Sequence, residues 1–414
     1  MTTPTTPAAP AATTDWAPHT SETRPWQQRV ARGPRADRQV REVTVSLPPY
    51  IARSEYAMDR PLAAMTAASA GDLTHLDLVH GRTLAALNHL QLRTEAIDSS
   101  RIEDVEAGLA DYGRAVLGVG ASASAVSMAA ATAAVSRLVE DAATTRRIRL
   151  EAILAAHAEL FRRDPEQAPR AGRLRTTQNW VGGSDWSPRG ALHVPPPPET
   201  VPGYLDDLLA FANRDDVPPL AQTAIVHAQF ESIHPFIDGN GRLGRALIHA
   251  VLRRRRVSRH LVVPVASGLV ADRDGYFAAL GDYRRGRART LVTLLSIATT
   301  TATRESARSA VTIGEIRRQW GEAVGGTRPG TPLHRLLDLL TEQPILNQAL
   351  VSEHLGLGEA DAYAAIETLH DARVLRRAPR SRRAPVWLAP AVLHEVEDLS
   401  ARIDRACRAW SSRP

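Results

Sequence analysis

The chain has 414 residues, 43% hydrophobic and 23% charged, which is enough for two or three domains with sizeable apolar cores. Its formal net charge is +6, and the long basic side chains are all arginine because no lysine occurs. A phosphate-binding loop with its lysine, a Schiff-base lysine and a Ser-Lys catalytic pair are therefore excluded, and the single Cys407 rules out an internal disulfide and a cysteine zinc cluster.

No apolar run approaches the ~20 residues needed to cross a bilayer, and the opening MTTPTTPAAPAATT has neither a basic region nor an apolar core. The expectation is a soluble protein without membrane contact. The Arg and Ala bias suits a GC-rich bacterial genome, with the cytoplasm as the expected location. Residues 1–38 are rich in Pro, Thr, Ala and Arg without apolar periodicity and are expected to be a disordered tail. REVTVSLPPYIA, 41–52, alternates as a short strand ending in a proline turn.

From 61 to 110 the pattern is helical, giving an N-terminal helical segment over 39–112. Within it EAIDSSRIEDVEAG, 95–108, places Ser99 and Glu103 one helical turn apart; taken alone, Glu103 reads as a solvated i,i+4 partner. Residues 114–143 are rich in Ala, Ser and Gly with apolar spacing, and RIRLEAILAAHAELFRR, 147–163, is an amphipathic helix. RLRTTQNWVGG, 173–183, and ALHVPPPPE, 191–199, read as two extended segments joined by a polar turn. The prolines make the second an edge or irregular strand.

HPFIDGNGRLGR, 234–245, concentrates the chemistry of the chain. Leu243, Ala246, Leu247, Ala250 and Val251 recur at helical spacing, so Arg242 and Arg245 fall on the first turn of a buried helix. A helix N-terminus carries partial positive charge and unpaired NH groups, so two cations there call for an anion. Gly239 and Gly241 free the turn for positive φ and close approach, which together with Asn240 and the arginine pair suits a polyphosphate. Asp238 suits Mg2+, which needs one or two carboxylates and completes its shell from phosphate and water. His234 is then the candidate base. His227, Glu231 and His234 share a helical stripe, but their spacing differs from a zinc helix and leaves the turn and both arginines unexplained. His227 and Glu231 are read instead as a buried polar pair.

This stretch matches HxFx(D/E)GNGRxxR of the Fic family without a substitution, and PLAQTAIVHAQFESIHPF resembles the helix that leads into its loop. The resemblance implies that His234 takes a proton from a target hydroxyl, Asp238 holds Mg2+, and Gly239, Asn240, Gly241, Arg242 and Arg245 bind the phosphates of ATP. Arg242 is assigned to catalysis as well, and Phe236 is expected to anchor the loop. Ser99 and Glu103 resemble the family's inhibitory helix, (S/T)xxxE(G/N), in which the Glu pairs with the second motif Arg, here Arg245, and obstructs the γ-phosphate. Asp104 departs from the Gly or Asn preferred there. Residues 173–199 resemble the flap, a hairpin that receives the target protein as an added strand. The family's later helices are matched by 261–298, with Tyr276 a candidate neighbour of the nucleotide base.

RRRR, 253–256, lies at a helix C-terminus, where cations are favoured without a ligand. GGTRPGTP, 325–332, is a linker by composition, and the whole linker is placed at 311–332. Three helical patterns near 333–342, 347–356 and 359–373 precede VLRRAPRSRRAPVWLAP, 374–390, two short strands around a basic tip. They resemble a winged helix over 333–414. Arg376, Arg377, Arg380, Arg382 and Arg383 suit DNA phosphates, whereas the acidic third helix suits protein docking.

The expected fold is mainly α: a Fic-type helical core over 113–310 with a small β-hairpin flap, plus the C-terminal winged helix, with a homodimer left open. The implied function is transfer of AMP from ATP to a Ser, Thr or Tyr hydroxyl of a protein, autoinhibited by Glu103. Transfer of another phosphate-containing group, removal of AMP, and a DNA-binding regulator with a nucleotide-sensing core stay open as alternatives.

Overall fold

The computed structural model describes residues 15–28, 33–79, 84–378 and 385–411. In chain order, β1 (Thr20–Pro25), α1 (Arg35–Arg38) and β2 (Glu42–Leu47) lead into α2 (Arg60–Val79), α3 (Leu84–Ile102), α4 (Leu109–Val116), α5 (Ala123–Thr145) and α6 (Leu150–Phe161). After a largely irregular stretch come α7 (Val201–Ala212), α8 (Pro219–Ile233), α9 (Asn240–Arg254), α10 (Val265–Ala271), α11 (Arg273–Arg284) and α12 (Ala288–Ala323). The C-terminal part holds α13 (Pro332–Glu342), β3 (Ile345–Leu346), α14 (Gln348–Leu355), α15 (Glu359–Asp371), β4 (Arg376–Arg377), β5 (Trp387–Leu388) and α16 (Pro390–Ser411). The fold is mainly helical with small sheets.

α8 sits at the centre, with every residue from Leu220 to Ile233 buried, and α9 packs between α8 and α5. The apolar stripe read from Leu243 to Val251 is fully buried. This places the turn between the two helices at the end of the most enclosed element of the chain, where its geometry is fixed by packing.

Part of the expected tail is structured. β1 pairs antiparallel with β2 from Thr20↔Leu47 to Pro25↔Glu42. Trp16 is 7% exposed, packs edge-on to Tyr56 and Phe211, and donates from Nε1 to the Tyr283 hydroxyl at 3.2 Å. Asp15 caps α12 by accepting from the NH groups of Ala288 and Arg289 at 2.8 and 2.9 Å. One aromatic anchor and one capping carboxylate outweigh a composition that suggested disorder. Residues 1–14 and 29–32 lie outside the described residues.

The expected linker is also shorter than 311–332. α12 continues to Ala323 because Ala310, Ile313, Ile316 and Trp320 keep one face buried at three- and four-residue spacing, so the connection spans 324–331. The flap is likewise reduced: among the described residues its two segments meet through a single β-bridge, Val181↔His193. The prolines at 195–198 have no NH to extend a ladder. β2 abuts this segment, with the Ser46 NH donating to the Val194 carbonyl at 2.8 Å.

In the C-terminal part β5 lies between β3 and β4, antiparallel to both. Arg376 and Arg377 are exposed on β4, while Arg380, Arg382 and Arg383 fall outside the described residues. α16 returns to pack on α3, α10 and α12. There Ser400 donates its hydroxyl to the fully buried Asp98 carboxylate at 2.7 Å, beside the hydroxyl of Ser267.

The ordered start of the chain makes a measurable claim. Trp16→Ala should lower the unfolding free energy by about 3–5 kcal/mol, the range for emptying a buried aromatic site, in urea denaturation of the full chain. A residue in a disordered tail would cost nothing.

Candidate active site

α8 ends at Ile233, and His234 follows in the left-handed region at φ 49° and ψ 61°, with its NH on the Phe230 carbonyl at 2.9 Å. A side chain with a Cβ pays about 1–2 kcal/mol there, so the surroundings must hold it. Arg175 does so from the flap. Its Nε donates to the His234 carbonyl at 2.8 Å, its Nη2 to the Ile233 and Pro196 carbonyls at 3.3 and 2.5 Å, and its NH to the Pro235 carbonyl at 2.9 Å. Burial pulls this guanidinium down to about 10.

Phe236 is fully buried, as the resemblance implied, and stacks on His157 of α6 at 3.9 Å between centroids. Nδ1 of that ring accepts from the Gly172 NH at 2.8 Å, so Nε2 donates to the Asp238 carbonyl at 3.2 Å. Asn240 closes the turn, its Oδ1 taking the Phe236 NH at 2.9 Å and its Nδ2 giving to the Phe236 carbonyl at 2.8 Å. Gly239, at φ 79°, is the N-cap of α9 and gives it no side-chain cap. The open NH groups of that helix end lie next to Arg242 and Arg245.

The anion demanded by the two arginines is present within the chain. Arg245, 1% exposed, donates from Nη2 to Glu103 Oε1 and to the Ser99 carbonyl, and from Nε to the Ser99 hydroxyl, all at 2.8 Å. Burial opposes its charge, yet Glu103, Tyr276 and Glu231 together hold its pKa above the ordinary arginine value. A Cβ on Gly241 would lie 2.1 Å from the same Glu103 oxygen, so the carboxylate rests directly on the start of α9 and requires glycine beneath it. The structure thus brings Ser99, Glu103, Gly241 and Arg245 into one cluster.

Asp104, the departure from the motif, stands at φ 58°, the conformation that Gly and Asn reach most easily. It accepts two hydrogen bonds at 2.8 Å from the Arg273 guanidinium of α11, which tie the end of α3 to that helix. An exposed ion pair thus stands where the family pattern has Gly or Asn.

Arg242 is less well answered. It is buried, donates from Nη1 to the Ser127 hydroxyl at 2.7 Å, and lies over the Phe161 ring at 5.3 Å, while Asp238 stays at 3.7 Å. Its Nε is buried without a partner, and burial draws its pKa below the usual arginine value. An under-compensated cation beside open helix NH groups fits a further anion. Asp238 is half exposed, with one oxygen on the Gly239 NH at 2.5 Å, and among the described residues no group of three or more His, Cys, Asp or Glu side chains is arranged around a metal. One accessible carboxylate beside a phosphate-sized anion site fits Mg2+ and not zinc.

The His234 ring is half-buried, and its Nδ1 faces the side-chain amide nitrogens of Asn179 at 3.0 Å and Asn240 at 3.2 Å. Burial, reinforced by Arg175 and Arg284, brings it down to about 3, so the imidazole is neutral at pH 7. A cavity of about 720 Å3 opens beside it, lined by Arg173, Thr177, Asn179, Trp180, Gly182 and Ile237.

Tyr276 is buried with its hydroxyl on His227 Nε2 at 2.8 Å. Arg175, Asn179, Ser127 and His157 were not singled out from the sequence. The first two stand in a stretch without periodicity, and an arginine there reads as solvated.

Residues 147–252, from the approach to α6 to the end region of α9, match the profile of the Fic/DOC family. The chain is 31% identical over 141 residues to a protein adenylyltransferase of Caenorhabditis elegans, covering 33% of this chain and 25% of that protein. It is 34% identical over 102 residues to a probable protein adenylyltransferase of Aquifex aeolicus, covering 23% of this chain and 28% of that protein. The chain thus spans about a quarter of the length of these curated relatives. The crystal structure of a Fic family protein from Desulfovibrio desulfuricans G20 superposes on 80% of this chain and 97% of that chain with a TM-score of 0.51, at 21% identity, a likeness of fold.

One titration behind the site is testable. Burial outweighs the neighbouring Arg245 and pushes the Glu231 carboxyl up to about 7 from 4.5. The folded state therefore holds a proton that the unfolded chain releases near pH 4.5, and the stability this gives is lost as pH rises to 7. Between pH 4.5 and 7 the wild type should lose about 3 kcal/mol relative to Glu231→Gln, compared by urea unfolding at both pH values. Parallel profiles would contradict the buried neutral acid.

Proposed function

We propose that this chain, whose residues 147–252 match the profile of the Fic/DOC family, is a protein adenylyltransferase that moves AMP from ATP to a Ser, Thr or Tyr hydroxyl and is held in check by Glu103. The observation that carries this reading is the Glu103 carboxylate on Arg245 at the start of α9, an anion seated where a phosphate would be bound. The relatives' names supply the type of reaction, and the chain's own residues supply the parts.

The triphosphate lies along the turn with its oxygens on the NH groups of Gly239 to Gly241 and on Arg242, and its far end takes Arg245 from Glu103. Two anions cannot share that guanidinium face, so inhibition and full nucleotide seating exclude one another. Asp238 would hold Mg2+, which when bound neutralises charge on the phosphates. His234 takes the proton of the target hydroxyl, whose oxygen bonds to the α-phosphorus as pyrophosphate leaves. Alignment and fixed positive charge lower the barrier, as in other phosphoryl chemistry.

The target enters through the groove of about 720 Å3 beside the flap, along the edge 176–180, since β2 covers the edge at Val194. Segment 333–414 is read as a winged helix. α15 carries Glu359, Asp361, Glu367 and Asp371, which repel a phosphate backbone, so a protein is the favoured partner of this module over DNA.

With ATP labelled at the α-phosphate, Glu103→Gly should raise transfer to protein about tenfold or more, the effect of removing a charged hydrogen bond that competes with ATP. His234→Ala in that background should lower transfer at least about 100-fold with ATP binding kept, while Arg245→Ala weakens ATP binding as well. Incorporation from γ-labelled ATP instead would replace adenylyl by phosphoryl transfer.

A further inference from the structure

We propose that the cavity enclosed by α3, α4, α5 and the end of α6 is a second binding site, apart from the catalytic turn, that takes a small organic acid with its carboxylate on Arg93 and its apolar body on the alanine face of α5. The cavity holds about 480 Å3, within the ~300–1,000 Å3 of small-molecule sites. None of its lining residues belongs to the turn at 234–245, to Ser99 and Glu103, or to the groove beside His234. Its origin lies in the sequence. The alanine-rich stretch of α5 presents Ala129, Ala130 and Ala133 where larger side chains would close the space between this helix and α3.

Arg93 supplies the call for an anion. It lines the cavity from α3, is 7% exposed, and donates from Nη1 to the Glu342 carbonyl and from Nη2 to the Gln343 side-chain oxygen, both at 2.7 Å. The Tyr112 hydroxyl stands beside it, itself bonded to the Thr132 hydroxyl at 2.9 Å. All of these partners are neutral. Among the described residues Arg93 forms no ion pair, and the Glu342 carboxylate lies instead 3.9 Å from His89 Nε2. Burial draws the Arg93 pKa below the ordinary arginine value, whereas Arg245, equally enclosed but paired with Glu103, stays above it. A buried cation answered only by neutral acceptors is costly, and a carboxylate in the cavity answers both its charge and the NH groups that those bonds leave over.

The other charges around the cavity set the charge of its ligand. Arg162 is paired with Glu159 at 2.9 Å, and Arg163 donates to the Ala115 carbonyl at 3.0 Å. Among the lining side chains Arg93, Arg162 and Arg163 stand against Glu140 and Glu159, which leaves one positive charge. His89 adds none, since burial pulls it down to about 4 and keeps it neutral at pH 7. A single carboxylate matches that balance, whereas the second charge of a phosphate would be repelled by Glu140 and Glu159. Leu92, Val126 and the three alanines offer no side-chain hydrogen bond and suit a hydrocarbon or aromatic body. Arg93 stands on the helix that leads to Glu103, so an occupied cavity adds contacts to that helix without touching the turn.

The test is equilibrium dialysis of the full chain against radiolabelled benzoate, with benzamide as its neutral isostere and inorganic phosphate as an anion without an apolar body. Benzoate should fill one saturable site with a Kd of about 1 mM or below. Benzamide should bind at least about tenfold more weakly, the loss of one charged hydrogen bond, and phosphate should not displace benzoate. Arg93→Leu should abolish binding. Ala133→Leu, which fills the cavity and leaves the charge in place, should weaken benzoate at least about tenfold with the unfolding transition of the chain kept; this variant and the benzamide comparison carry the test if Arg93→Leu does not fold. Saturating ATP with Mg2+ should leave benzoate bound to Glu103→Gly. No saturable binding of benzoate, equal binding of benzamide, a preference for phosphate, unchanged binding in Ala133→Leu, or displacement by ATP would each overturn the assignment.

Discussion

Arg245 is a guanidinium with 1% of its surface left to solvent at the foot of α9, and much of the architecture follows from answering its charge there. A buried cation is tolerated only when paired and hydrogen bonded on several sides. Ser99 supplies a hydroxyl and a carbonyl and Glu103 a carboxylate, which obliges α3 to lie across the start of α9. α3 then brings buried polar groups of its own. Glu95 lies 2.9 Å from His249 Nε2 and accepts the Ala266 NH at 2.8 Å. Arg93 donates to the Glu342 carbonyl and the Gln343 side chain at 2.7 Å, and Asp98 takes the hydroxyls of Ser267 and Ser400. One unsolvated charge thus draws together helices from both ends of the chain.

The turn at 234–245 is held by a different device, side chains bonded to its backbone. Arg175, His157, Asn179 and Asn240 each reach a carbonyl of residues 233–238. Backbone-directed bonds fix the path of the loop, two of the four side chains, Asn179 and Asn240, also facing His234 Nδ1, and they let a left-handed His234 persist at the end of a fully buried helix. Two side chains proposed to act there are left with few competing partners among the described residues: Arg242 keeps an unpaired Nε and Asp238 stays half exposed.

How legible all this was depended on how local the physics is. The turn, the helix after it and the need for an anion were readable from residues 234–251 because glycine, the arginine pair and the apolar stripe act within three turns. That Glu103 is the anion was readable only through resemblance, since its spacing alone describes a solvated helix. The supports were not readable: Arg175 and Asn179 sit in an aperiodic stretch, and their partners are carbonyls, which every residue has. The ordered Trp16 and Asp15 were hidden by the Pro, Thr and Ala around them, and the linker estimate failed because Ile313, Ile316 and Trp320 carry α12 on past the expected boundary.

The return of α16 onto α3 has a consequence for how the molecule is made. Ser400 follows Asp98 by 302 residues, so a chain emerging from the ribosome has already exposed the glycine turn and both of its arginines before the helix that covers Asp98 has been synthesised. The aspartate meanwhile keeps a hydration shell that it gives up only when α16 arrives. Seating of the segment that bears Glu103 is therefore completed only once α16 has been made, and a stalled nascent chain would display the glycine turn and its two arginines with that cover still unfastened.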